Sequence, residues 1–237
     1  MFNMKKTESI LLGNKQLRKR VDVNHITLAG SLLPLADKVR DLGVIFDCEL
    51  TMKNHISQIR RQSFSFLHII GRMNKTITAS QCSILINALV LSRITYCAPL
   101  LFGITKAELH KIQNIIDVAH RIVARLKKRH DRTSSTLPPS QWPLADKLIR
   151  LRACSLVFSV MKSGLPIGLS NLLKPMQSIR ALRSSSQELL EVPMVKTKFG
   201  ERSFYHYGPK LWNSIPLSIR NLRSRSIFLQ KLTQMMV

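Results

Sequence analysis

Between Thr105 and Leu126 apolar side chains return every three or four residues: Leu109, Ile112, Ile116, Ala119, Val123 and Leu126. That spacing sets them on one face of a helix of about six turns. A face this long is stable in water only when a second apolar surface covers it. Two further helices are legible. Upstream, Ile56, Ile59, Phe66, Leu67 and Ile70 form a second stripe, with Arg60, Arg61 and His68 off it. Downstream, "PLADKLIRLRACSLVFSVMKSGLP" (143–166) has Pro143 at its first turn, Gly164 past its end and Pro166 as a stop. Thr78–Gln81 and Thr105–Glu108 both read as capping boxes, in which a Thr bonds the third amide and an amide or acid reaches back. A last helix is expected over about 227–236.

Before residue 51 the pattern is different. "ESILLG", "HITLAG" and "VRDLGVIFD" are short and apolar, punctuated by Gly13 and Gly30, and read as strands. Three short strands do not cover both faces of a sheet, so they read as part of a larger one. "KKRHDRTSSTLPPSQW" (127–142) is polar and non-periodic, as a linker is, and 175–202 reads as irregular and basic. The expected fold class is α+β, mostly α. A small antiparallel β region (1–50) leads into a helical bundle (51–130). A linker (131–142) and a helical, irregular and basic C-terminal extension (143–237) follow.

Charge limits the function. Lys and Arg number 37 against 13 Asp and Glu, a net charge of +24. Hydrophobic residues make up 45% of the chain, so it is no disordered basic tail. A packed protein this basic is suited to a polyanion, since each cation set on a phosphate releases condensed counterions. Lys111, Arg121, Arg125 and Lys128 lie largely opposite the apolar face of their helix. They read as a ridge that tracks phosphates or as an ordinary solvated face.

Other classes find little support. The cysteines Cys48, Cys82, Cys97 and Cys154 form no CxxC pair and read as buried, reduced thiols. No histidine spacing suggests a zinc site. Arg93 is the only charge between Lys75 and Lys106. An Arg at mid-membrane costs about 2.5–3.5 kcal/mol, so a buried helix is expected there and no membrane partner. The first twenty residues put charge on both sides of a very short apolar run, unlike a secretory signal; a nuclear or cytoplasmic protein is expected. No glycine-rich phosphate loop, nucleophile elbow or adjacent aspartate pair is present. "SFYHYGPKLWNSIPLSIR" (203–220) gathers Phe204, Tyr205, Tyr207 and Trp212. Gly208, Pro209 and Pro216 make it too irregular for a base-stacking strand, and Leu211, Ile215, Leu217 and Ile219 suit a tail folded on a core. Trp212 is expected to be a packing anchor.

The order of short phrases resembles the C-terminal part of non-LTR (LINE-type) retrotransposon reverse transcriptases, of the jockey-like and related groups. The phrases are "KKTESILLG", "VRDLGVIFD", "HISQI", "LVLSRITYC", "LHKIQNIIDVAHRIV", "KSGLP", "LRSSS" and "GERSFYHYGPKLWNSIPLSIR". They span nearly the whole chain and follow the order in which such proteins carry them after the catalytic palm. The resemblance implies that 1–50 is the end of the palm and 51 to about 165 a thumb lying along template and primer. It implies that Lys6 belongs to a loop near the incoming nucleotide, where plain surface charge is the other reading. It implies that Leu42 and Gly43 form the turn that grips the primer. "SQWPL" departs from the "LHWLP" of many relatives, which leaves the docking of Trp142 open. The family's chemistry needs an aspartate triad holding two metal ions, including an Asp-Asp pair after an aromatic. These 237 residues contain no such pair. A truncated fragment is therefore expected, with no polymerase activity of its own, no cofactor, and magnesium only in the complete enzyme. Its remaining capacity is sequence-tolerant binding of RNA or DNA. The alternatives are an independent basic helical nucleic-acid binder, or an interaction protein with no nucleic-acid role.

Overall fold

The computed structural model describes residues 7–21, 23–28, 30–126, 142–176 and 188–235. The chain is mostly helical, with two small antiparallel sheets of two strands each. It divides into two compact units, residues 1–93 with 104–136, and residues 94–103 with 137–237. The β region and the first helices, which composition separates at residue 50, thus share one unit, and 94–103 goes with the C-terminal part.

The first unit begins with a short helix α1 (Lys15–Arg18) and four strands: β1 (His25–Leu28), β2 (Ser31–Pro34), β3 (Lys38–Asp41) and β4 (Val44–Asp47). β1 pairs with β2 and β3 with β4. Two expectations change here. "VRDLGVIFD" is a hairpin and not one strand, because the chain reverses at Leu42 and Gly43 with φ of 44° and 88°. Positive φ at both central residues matches the twist of the flanking strands. "ESILLG" joins no ladder; it is tied down by an isolated parallel bridge, Ser9 with Leu35, by Ser9 Oγ donating to the Pro34 carbonyl, by the Gly13 N–H donating to the Cys48 carbonyl and by Glu8 accepting from the Arg40 N–H.

Asp47 then links sheet to helix. Its carboxylate accepts from the N–H groups of Thr51 and Met52, both at 2.8 Å, where α2 (Lys53–Met73) starts. α2 buries His55, Ile56, Ile59, Ser63, Leu67 and Ile70 and packs on α5 (Lys106–Val123), which buries Ile112, Ile115, Ile116 and Ala119. Between them lie α3 (Ala79–Ile86), a π-helical stretch (Asn87–Leu91) and α4 (Ser92–Thr95). The Thr78–Gln81 capping box is complete, whereas the second is half-formed: Thr105 accepts from the Glu108 N–H, but the Glu108 carboxylate turns to Lys111. Arg93 is neutralised locally. It donates to the Gln62 amide oxygen at 3.0 Å and to the Leu89 carbonyl, and sits 4.9 Å above the Phe66 ring. No described helix is long and apolar enough to cross a membrane.

The second unit is built around α6 (Ala145–Ser163), which is buried on nearly all sides, as expected of a central helix. It ends where expected, at Gly164 with φ 67°. Around it lie a 3₁₀ turn (Ala98–Leu101), α7 (Ile167–Ser170), α8 (Lys198–Glu201), α9 (Phe204–Ser214), α10 (Leu217–Arg220) and α11 (Arg225–Met235). Phe158 of α6 stacks on Phe228 of α11, with ring centroids 4.2 Å apart. Trp142 is buried in this unit. The aromatic run is helical, contrary to the irregular segment expected: α9 contains Gly208 and Pro209 and still forms, because Tyr207, Leu211 and Trp212 bury one face. Pro209 has no N–H for the carbonyl of Tyr205, whose side chain lies on the exposed side.

Candidate nucleic-acid interface

The sequence-predicted cations of α5 do not form a free row. Lys111 Nζ lies 2.8 Å from an oxygen of Glu108, a carboxylate buried to 3% exposure. Arg121 donates Nε to the Asp117 carbonyl one turn back. Arg125, just past the helix at φ 53°, donates to the Ile77 carbonyl at 2.9 Å and so satisfies a backbone acceptor before α3. Lys6 and Lys128 lie outside the described residues. Leu42 and Gly43 form the tip of the β3–β4 hairpin, with the Leu42 side chain 82% exposed. An apolar side chain so open, in a backbone region that costs a non-glycine residue about 1–2 kcal/mol, contributes little to the fold.

A more continuous cationic surface lies on α2. Lys53, Arg60, Arg61 and Arg72 are exposed, and none forms an ion pair among the described residues. At 100° per residue they fall within about 120° of one another, opposite the buried stripe, over about 28 Å of helix. His68 is exposed within the same sector. Arg60 lies 5.5 Å from the Phe64 ring centroid, which keeps its stem along the surface. All 21 residues of α2 lack Asp and Glu, so nothing on the helix offsets this charge. The lack of acids is visible in the sequence, but the longer apolar period of α5 is the stronger signal and points to the other helix.

The buried stripe of α2 carries one titratable group. His55 Nδ1 accepts the Ile45 N–H at 3.5 Å, joining the second hairpin to the helix. Burial, with Arg40 nearby, holds the imidazole pKa below its usual value, so the ring stays neutral. The basic face is therefore fixed to the hairpin through a neutral contact and through Asp47.

The aromatics of the second unit are structural. Trp212 is 1% exposed and donates its indole N–H to the Glu188 carbonyl at 3.1 Å. Arg220 donates to the same carbonyl at 3.1 Å and to the Ile215 carbonyl at 2.8 Å. Asn213 clamps Leu190, accepting its N–H and donating to its carbonyl. Three side chains thus pin residues 188–190 to the core, as a packing anchor requires. Tyr207 is buried too, and burial pushes its phenol pKa far up, with Cys154 adding to the rise; its hydroxyl faces the Pro99 carbonyl at 3.4 Å. Tyr205 is the open one, at 40% exposure.

Among the described residues no group of three metal-ligating side chains comes together. No protein-family model, no curated protein and no solved structure matches this chain.

Proposed function

We propose that the first unit binds the phosphate backbone of RNA or DNA without sequence preference, through the acid-free face of α2. The observation that carries this reading is the set Lys53, Arg60, Arg61 and Arg72, exposed and without an acidic residue on their helix. Their span of about 28 Å corresponds to about eight base pairs at 3.4 Å each. Long flexible cations suit phosphate contacts, and Asn54 is the one amide side chain within their sector, fewer than a base sequence needs to be read.

The eight ordered phrases support the further reading that this chain is the palm end, thumb and C-terminal extension of a non-LTR retrotransposon reverse transcriptase. Two observations agree with it. The β1–β2 hairpin leaves Ile26 and Leu32 exposed at 45% and 65%, as strands taken from a wider sheet would be. Gly43, at the hairpin tip, has no side chain to hold a nucleic-acid strand away from its backbone, as a primer-gripping turn needs. Phosphoryl transfer forms no part of the proposal, because the carboxylates that hold magnesium in such enzymes are not among these residues.

Fluorescence anisotropy with labelled 20-residue oligonucleotides of unrelated sequence tests the binding. Affinities within about threefold of one another are expected, and a loss of about tenfold or more when the four cations become Gln. A strong preference for one sequence, or an unchanged affinity in a folded quadruple variant, contradicts it.

A further inference from the structure

The second unit contains a cavity of about 460 Å³ that the α2 reading does not use. Its volume lies in the range of small-ligand sites. Arg150, Lys198, Arg202 and Lys210 line it, and Glu201 is the one acid among its lining residues. Arg150 has a partner in Asp146 at 3.2 Å, but both are half or more exposed and the pair is a weak one. An apolar wall completes the cavity: Phe102 lies against Tyr207 with centroids 4.6 Å apart.

Two features hold this arrangement in place. Gly103 has φ 74°, and a Cβ there would come within 2.8 Å of Arg202 Cγ. Any other residue there would be strained at this φ and would have to push the Arg202 stem aside. His206 has Nδ1 2.9 Å from the Pro193 carbonyl. A carbonyl only accepts, so Nδ1 carries the hydrogen and Nε2 is the ring's remaining polar atom.

We propose that this cavity seats one phosphorylated nucleotide, with its phosphate among Lys198, Arg202 and Lys210 and its base or sugar against the Phe102 side. Phosphate is the group that this excess of cations selects, and guanidinium beside ammonium is the donor set that phosphate oxygens accept from. The apolar wall gives a reason to bind a nucleotide more tightly than inorganic phosphate. A free nucleotide and the phosphorylated end of a strand share this chemistry. The ligand class rests on the nucleic-acid reading above; the geometry uses none of the α2 residues.

The test uses the full chain and isothermal titration with adenosine 5′-monophosphate, adenosine, inorganic phosphate, and a trinucleotide with and without a 5′-phosphate. Saturable binding of the monophosphate, at least about tenfold tighter than adenosine and tighter than phosphate, is expected. If the strand end is the source, the phosphorylated trinucleotide binds tighter than the monophosphate; if the free nucleotide is, the order reverses. Lys198→Gln with Lys210→Gln changes only exposed side chains, and should weaken monophosphate binding about tenfold while leaving the thermal melt unchanged. Equal binding of adenosine and the monophosphate, no saturation by about 10 mM, or an unaffected double variant overturns the proposal. Loss of 20-residue oligonucleotide binding in the α2 variant with monophosphate binding intact separates the two sites. Monophosphate binding in a chain that ignores oligonucleotides refutes the α2 reading alone.

Discussion

Replacing Trp212 by Ala empties the site of an indole buried to 1% exposure in the second core. A truncation of this kind in a packed interior costs about 3–5 kcal/mol. The indole hydrogen bond to the Glu188 carbonyl goes with it, but Arg220 still donates to that oxygen at 3.1 Å. The further cost of an unsatisfied buried acceptor, about 1–3 kcal/mol, is therefore not added. Trp212→Phe keeps most of the apolar surface and loses the N–H, for about 1–2 kcal/mol. At about 4–8 °C per kcal/mol for a unit of roughly this size, the Ala variant should melt about 12 °C or more below the parent. Circular dichroism follows the melt. Hydrogen exchange locates it: amides of α6 should lose protection while those of α2 keep theirs. A melt within about 2 °C of the parent, with an affinity loss of about 1–3 kcal/mol for single strands, would show that the indole stacks on bases and would refute the anchor.

Other consequences are local. His55 is held neutral in the fold, with its pKa below the value of about 6.5 it has when unfolded. The unfolded chain therefore binds more protons just below that pH, and the hairpin–α2 junction should lose stability as pH falls from about 7 to 5. A pH-independent exchange protection of the Ile45 amide, after correction for intrinsic rates, contradicts this. Burial raises the Cys154 thiol to about 11 and lifts Cys82 as well, while Cys97 is only half-buried. Iodoacetamide on the native protein should alkylate Cys97 well before either; equal rates at Cys154 would mean that the second core is open. Leu42→Asn relieves a left-handed backbone position and should stabilise the hairpin by about 1 kcal/mol in urea unfolding. A destabilised variant argues against the turn. Reduced oligonucleotide affinity in a stabilised variant supports contact between this tip and a strand.

The helices α2 and α5, with a clean apolar period, and α6, bounded by Pro143 and Gly164, are legible in the sequence, together with the Thr78 box. Their signals are local, and packing agrees with them. The α9 helix is hidden there, since Gly208 and Pro209 argue against a helix and only the burial of Tyr207, Leu211 and Trp212 outweighs them. The β3–β4 turn has no signal of its own in the residues, because Leu42 occupies a position where Asn, Asp or Gly is usual; only the resemblance points to a turn at Leu42 and Gly43. Among site residues, the Glu108–Lys111 pairing follows from an i, i+3 spacing, but only burial of Glu108 makes that lysine a local partner. The cavity of the second unit has no sequence signature at all. Gly103 and Arg202 meet there from distant parts of the chain, and no periodicity connects them.

A phosphate-binding face on α2 shows itself in the salt dependence of binding. If about five phosphates are engaged, log K for a labelled oligonucleotide should fall against log salt with a slope of about −4. Changing Lys53, Arg60, Arg61 and Arg72 to Gln removes up to four of those contacts and should bring the slope to about −1. A control with Lys174, Lys196, Arg223 and Lys231 changed to Gln removes the same charge from exposed positions elsewhere, and its slope should stay near the parent's. Equal flattening in both variants would show that net charge alone attracts the nucleic acid, and would contradict a binding face on α2.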